Sequence, residues 1–249
     1  MGLHNHNSWG NNVKRFISVL SLALLVSVAF TQGASASSLY PAGSLGVDIS
    51  YPNCSAAIPS VNFGVVGVTG GLVFSRNSCA AAEAKHFTDL SLYVNTGLNT
   101  SSSSQYYTQA QVGCNGDANC AAYNYGSNAA KDAITYANAQ DLSSTKWWLD
   151  VETSNTWSTN ALQNQKSLQG EYDALLANGT TTVGVYSTSA QWQSITGSWQ
   201  NNWPSWGATT WTTAKQAQSY CTGHQFTGGT SLLMQYKSKQ SKVDQDVAC

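Results

Sequence analysis

Carboxylates are scarce in this sequence, and several stand inside runs that are otherwise apolar. Of the three glutamates, Glu83 and Glu171 lie in polar, helix-like surroundings and read as solvated surface groups. Glu152 is different, because it closes the run Trp147-Trp148-Leu149-Asp150-Val151. An extended chain places alternate residues on one face. Trp148, Asp150 and Glu152 therefore point one way, and Trp147, Leu149 and Val151 the other. Two carboxyls about 6–7 Å apart on one strand face raise each other's proton affinity. One can then keep its proton near neutral pH and serve as a general acid while the other stays charged. Asp48, which ends Leu45-Gly46-Val47, repeats the pattern, as do Asp244 and Asp246 within Val243 to Val247. Charges in apolar strands are costly unless they are exposed, paired or used. A single Asp at a strand end is ordinarily a helix cap or a loop acceptor. Asp48, Asp150 and Glu152 taken together read as one functional pocket.

Such a pocket needs a frame that brings several strand ends together. Short apolar runs predict strands over 45–50, 63–69, 90–95, 147–151, 182–186, 205–211, 231–236 and 243–248. Helical composition falls between some of them, over 127–140, 159–177 and 189–196, with Gly179 as a left-handed stop. The first strands are apolar throughout, as in strands buried on both faces. Strands alternating with helices, eight in number, predict an α/β fold: a small, somewhat irregular TIM-like (β/α) barrel with a parallel sheet. A doubly wound sheet is the alternative, although Tyr51-Pro52-Asn53-Cys54 stands where a Gly-rich phosphate turn would follow the first strand. In a closed barrel the first and last strands are neighbours. Asp48 would then meet Asp244 or Asp246 at the rim where Asp150 and Glu152 end. Barrel active sites lie at that C-terminal rim.

The N-terminus reads as a secretory signal peptide, residues 1–36: Lys14 and Arg15, the apolar run Phe16 to Phe30, then Ala34-Ser35-Ala36. The run is shorter than the roughly 20 residues of a membrane span. His4 and His6 resemble a metal pair but fall in this segment. The remaining 37–249 is expected to be one domain, secreted, monomeric and without a further membrane span. A formal net charge of −1 excludes the basic footprint of a nucleic-acid binder. The six cysteines, Cys54, Cys79, Cys114, Cys120, Cys221 and Cys249, suit a disulfide framework in an exported chain. Of 15 possible pairings, the sequential one is expected. Nothing suggests a metal, nucleotide or other cofactor. His86 and His224 lack a nucleophile context and read as structural. Among the tryptophans, Trp157, just beyond Glu152, is the best candidate to line the pocket.

At these residues the chain resembles the lysozyme-type muramidases of glycoside hydrolase family 25. The matching pieces are Gly46-Val47-Asp48-Ile49-Ser50, Leu149-Asp150-Val151-Glu152-Thr153, Gly184-Val185-Tyr186-Ser187, Met234-Gln235-Tyr236 and Val243-Asp244-Gln245-Asp246-Val247. They stand in the family's order and span most of residues 37–249. The resemblance implies an irregular α/β barrel that cleaves the β-1,4 bond after N-acetylmuramic acid in bacterial peptidoglycan. It makes Glu152 the general acid and gives Asp150 the task of orienting or stabilising the reacting sugar. Asp48 and Asp244 complete the acidic cluster, with Asp246 standing where the family often has Asn. Tyr186, Gln235 and Tyr236 join Trp157 as substrate-binding candidates. The chitinase-like family 18 also ends a strand in D-x-E, but its pattern wants an Asp where Trp148 stands. A non-catalytic glycan-binding barrel and a glycosidase for another glycan are the competing functions.

Overall fold

The computed structural model describes residues 39–249; the expected signal peptide, with His4, His6, Lys14 and Arg15, lies outside the described residues. Eight strands close into a barrel in chain order: β1 (Leu45–Ile49), β2 (Phe63–Gly67), β3 (Leu90–Asn95), β4 (Lys146–Asp150), β5 (Thr182–Ser187), β6 (Ser205–Ala208), β7 (Ser231–Tyr236) and β8 (Asp244–Ala248). The helices are α1 (Ala80–Ala84), α2 (Gln105–Ala110), α3 (Ala118–Ala139), α4 (Ala161–Ala177), α5 (Ser189–Thr196) and α6 (Ala214–Gln218). The α/β barrel expected from the strand count is the fold observed.

One part of that expectation is corrected. β1 to β7 are mutually parallel, but β8 runs antiparallel to both β7 and β1. The physical reason is the connection. Residues 237–243 are too few for a parallel crossover, which takes a dozen or more. The reversal matters for the pocket. It brings the start of β8, with Asp244, to the rim where the parallel strands end.

The alternation read from β4 holds in space. Trp147, Leu149 and Val151 pack with Leu168, Leu175 and other residues of the helical layer. Trp148 packs inside the barrel with Phe63, Val65, Trp206 and Leu233. The Trp148 and Trp206 rings meet edge to face at 5.7 Å. The space for Trp148 comes from Gly184 on β5. A Cβ there would lie 2.3 Å from Trp148 Cζ3, well inside van der Waals contact. These rings fill the lower barrel, so the cavity forms only above them.

Several local expectations are revised. β6 ends at Ala208, before the expected Trp211. α3 begins at Ala118, earlier than position 127, because the Asp117 side chain accepts from the Asn119 and Cys120 amides and caps it. Gly179 follows α4 with φ of 89°, the left-handed stop that the sequence suggests. Disulfides join Cys54 to Cys79, Cys114 to Cys120 and Cys221 to Cys249.

Glu83 and Glu171 are not surface groups. Glu83 is buried in α1, where Asn77 Nδ2 donates to its Oε2 at 2.7 Å. Glu171 is 0% exposed, and neither of its oxygens has a hydrogen-bond partner among the described residues. The inward stripe of α4, through Leu168 and Leu175, passes directly over Glu171. α3 also lies very close, since a Cβ on Gly170 would fall 2.0 Å from the Tyr123 carbonyl oxygen. Burial pushes the Glu171 carboxyl well above its ordinary range.

Candidate active site

A cavity of about 260 Å³ opens at the C-terminal end of the barrel. Asp48, Asp150, Glu152, Tyr186, Gln235 and Asp244 all line it. Their convergence follows from register. Asp48 on β1 stands opposite Asp244 on β8, and Asp150 on β4 stands beside Tyr186 on β5. Each is an inward position one step beyond the ring layer, where apolar filling stops.

The carboxyls differ in their partners. Asp48 Oδ2 accepts from Gln235 Nε2 at 2.9 Å, and Gln235 Oε1 accepts from the Tyr186 hydroxyl at 2.9 Å. Burial, then the neighbouring Asp244 charge, raises Asp48 to about 7 against the Gln235 donor. Asp150 is pushed well up, first by burial and then by Glu152 and Asp48; the amide of Asn95, which donates to its Oδ2, works the other way. Glu152 is only half-buried. Gln191 Nε2 reaches its Oε1 at 3.4 Å, while Gln191 Oε1 accepts from the Thr153 amide at 2.7 Å. The arrangement can hold a proton at one carboxyl and a charge at another within one water-accessible cleft, which is what acid-assisted bond cleavage needs.

The two late aspartates separate by depth. Asp244 lines the cavity. Asp246 is paired with Gly46, one step deeper, and is 0% exposed. Its Oδ1 accepts from Trp206 Nε1 at 2.7 Å, and it contacts the Asp48 carboxyl. Burial and Asp48 drive its proton affinity well up. Asp246 thus belongs to the floor beneath the cavity.

Two expected substrate-binding residues lie elsewhere. Trp157 does not line the cavity: its indole N–H donates to the Glu152 carbonyl at 2.8 Å, and its ring packs into the helical layer. The chain turns after Glu152, which directs residue 157 away from the strand axis. Tyr236 is adjacent to inward Gln235 on a strand, so it points outward, where it packs with Met234 and Val247. His86 and His224 are exposed and away from the cavity.

A family model described as lysozyme-like protein 1 matches residues 73–227. The chain belongs to this lysozyme-like family. Over 64 residues it is 38% identical to the probable GH family 25 lysozyme 5 of Dictyostelium discoideum. That match takes in 24% of this chain and spans only 30% of the relative's length. The bacterial lysozyme from Streptomyces coelicolor superposes with a TM-score of 0.54 at 16% identity, over 84% of this chain and 93% of that one. The muramidase from Trichobolus zukalii gives 0.56 at 15% identity, over 82% and 93%. Identities this low establish a shared barrel fold. The lysozyme-like family match contains Asp150, Glu152 and Tyr186, whereas Asp48, Gln235 and Asp244 lie outside its span and reach the cavity through β1, β7 and β8.

Sequence reasoning missed Tyr93 and Asn95, and among the late tryptophans it favoured Trp157 over Trp206. Tyr93 and Trp206 line the cavity, and Asn95 lies against Asp150. A signal was available in β3. Ser91, Tyr93 and Asn95 alternate with Leu90, Leu92 and Val94, so one strand carries a polar stripe. That stripe faces the barrel, beside Trp148 and Asp150 of β4.

Proposed function

We propose that the protein is a secreted glycoside hydrolase that cleaves β-1,4 bonds of bacterial peptidoglycan. The observation that carries this reading is the convergence of Asp48, Asp150 and Glu152 on one cavity at the C-terminal end of the barrel. Membership of the lysozyme-like family and the muramidase fold support the substrate class. Glu152 is the general acid. It gives its proton to the glycosidic oxygen as the bond from that oxygen to the anomeric carbon breaks, and water supplies the hydroxyl that the anomeric carbon gains. The Glu152 carboxylate recovers its proton from that water in the complete cycle. Asp150 orients or stabilises the reacting sugar. Asp48 and Asp244 hold the acidic end of the cleft, and Tyr186 and Gln235 offer polar contacts to the sugar. Three disulfides support export, and no helix among the described residues is long and apolar enough to cross a membrane.

The deciding experiment is turbidity clearing of purified bacterial cell walls by residues 37–249, beside a Glu152→Gln variant. Clearing by the parent and at least a 100-fold slower rate for the variant is the expected result. Sedimentation of both on the walls with no clearing by either would replace the hydrolase with a glycan-binding barrel.

A further inference from the structure

The cleft's buried carboxylate, Asp150, is held by a chain of side chains that takes no direct part in lining the cavity. Asn95 ends β3 beside Asp150, and its Nδ2 donates to Asp150 Oδ2. The other end of the Asn95 amide is fixed independently. Its Oδ1 accepts from the Thr69 hydroxyl at 2.7 Å and from the Gly71 amide at 3.1 Å. Thr69 Oγ1 in turn accepts from the Asn95 backbone N–H at 2.8 Å. A hydroxyl has one proton, and here the approach of the Asn95 amide leaves that proton for Asn95 Oδ1. Flipping the Asn95 amide would set its NH₂ against the Gly71 N–H, an obligate donor. Thr69 and Asn95 are both buried, so water does not offer an alternative partner. The backbone is clamped at the same point, since the Asp150 carbonyl accepts from both the Thr96 amide and the Thr96 hydroxyl, at 3.0 and 2.7 Å.

We infer that Asn95, oriented by Thr69, is a positioning residue that pins Asp150 Oδ2 and leaves Oδ1 as the oxygen that takes the proton. This rests on the proposed hydrolase reading for its functional meaning, though not for its chemistry. Asp150 Oδ1 is buried and has no hydrogen-bond partner among the described residues, in keeping with that division of labour. The groups facing Asp150 from the surrounding strands are Glu152 on its own strand, Asp48 on β1, Tyr93 on β3 and Tyr186 on β5. All are acids, so each disfavours the Asp150 anion when charged. Asn95 is the neutral donor that opposes them.

The test reads Asp150 directly, by ¹³C NMR titration of the aspartate carboxyls, in the parent, Asn95→Ala, Thr69→Val and Thr69→Ser. Thr69→Val keeps the shape and loses the hydroxyl. The expected result is an upward shift of the Asp150 midpoint by about one pH unit in Asn95→Ala, since a hydrogen bond to a charged group is lost. Thr69→Val should move it the same way by less, and Thr69→Ser should match the parent. Wall-clearing rates should show the acidic limb moving up in step, with kcat falling and KM little changed. An unshifted midpoint in a folded Asn95→Ala protein overturns the inference. Should that variant fail to fold, equal midpoints in Thr69→Val and Thr69→Ser overturn it. A parent that clears no walls while the midpoints shift as expected defeats the hydrolase reading and leaves the positioning role standing.

Discussion

Two regions of this barrel bury carboxyls, and they do so in opposite ways. At the C-terminal rim, Asp48, Asp150 and Asp246 each face a donor, from Gln235, Asn95 and Trp206. Asp48 and Asp150 also line one cavity, with Asp246 in the floor beneath it. In the helical layer, Glu171 is equally buried, yet neither of its oxygens meets a donor among the described residues, and burial alone raises its proton affinity. The rim retains some ability to ionise because donors and the open cleft offset desolvation. Glu171 has neither, and its proton affinity stays well above the ordinary carboxylate range. Burial by itself therefore does not mark a functional carboxyl; donors and an opening do.

The comparison can be broken by exchanging carboxyls for neutral isosteres in each region. The largest effect belongs to the rim. Glu152→Gln should reduce wall clearing at least 100-fold with a melting temperature near the parent's. Next comes Asp48→Asn, which keeps the bond geometry at Gln235 and removes a charge. About a tenfold loss of kcat is expected, together with loss of the step near pH 7 in the rate profile. A profile that keeps this step would assign it to another group.

Glu171→Met should leave clearing unchanged and raise stability at neutral pH by about 1–3 kcal/mol, measured by urea unfolding. The sign follows from the raised native proton affinity. Below the ordinary carboxylate range Glu171 is protonated in both folded and unfolded chains, so its ionisation contributes no slope. As pH rises above that range the unfolded chain loses the proton first, and the folded state becomes progressively less stable. The advantage of the Met variant should therefore grow with pH; a constant difference would point to packing alone. The smallest effect is expected for Trp157→Phe, which removes the donor to the Glu152 carbonyl while keeping the ring. About 1 kcal/mol of stability and a modest fall in kcat are expected. A large rise in KM would instead return Trp157 to the substrate-binding surface.

The barrel was legible because β4 and its neighbours carry period-two apolar runs, which survive as local patterns whatever the rest of the chain does. The stripe of α4 was legible in the same way through Leu168 and Leu175, but the polar look of Glu171 concealed that it lies on that stripe. Trp157 and Tyr236 were misplaced for a related reason. Trp157 sits beyond the turn after Glu152, and Tyr236 is on the opposite face of β7 from Gln235, so nearness in sequence misled.

What the amino-acid sequence determined by itself is local: which residues form strands, that Asp150 and Glu152 share one face, and where helices stop. Those follow from alternation and backbone preference, which act over a few residues. The tertiary structure decided the rest. The antiparallel return of β8 set Asp244 at the rim and Asp246 one layer below. The crossing of α3 and α4 buried Glu171, and the pairing of β3 with β4 put Asn95 against Asp150. Each of these depends on contacts between residues far apart in the chain, and a carboxyl's chemistry is set by those neighbours rather than by its own flanking sequence.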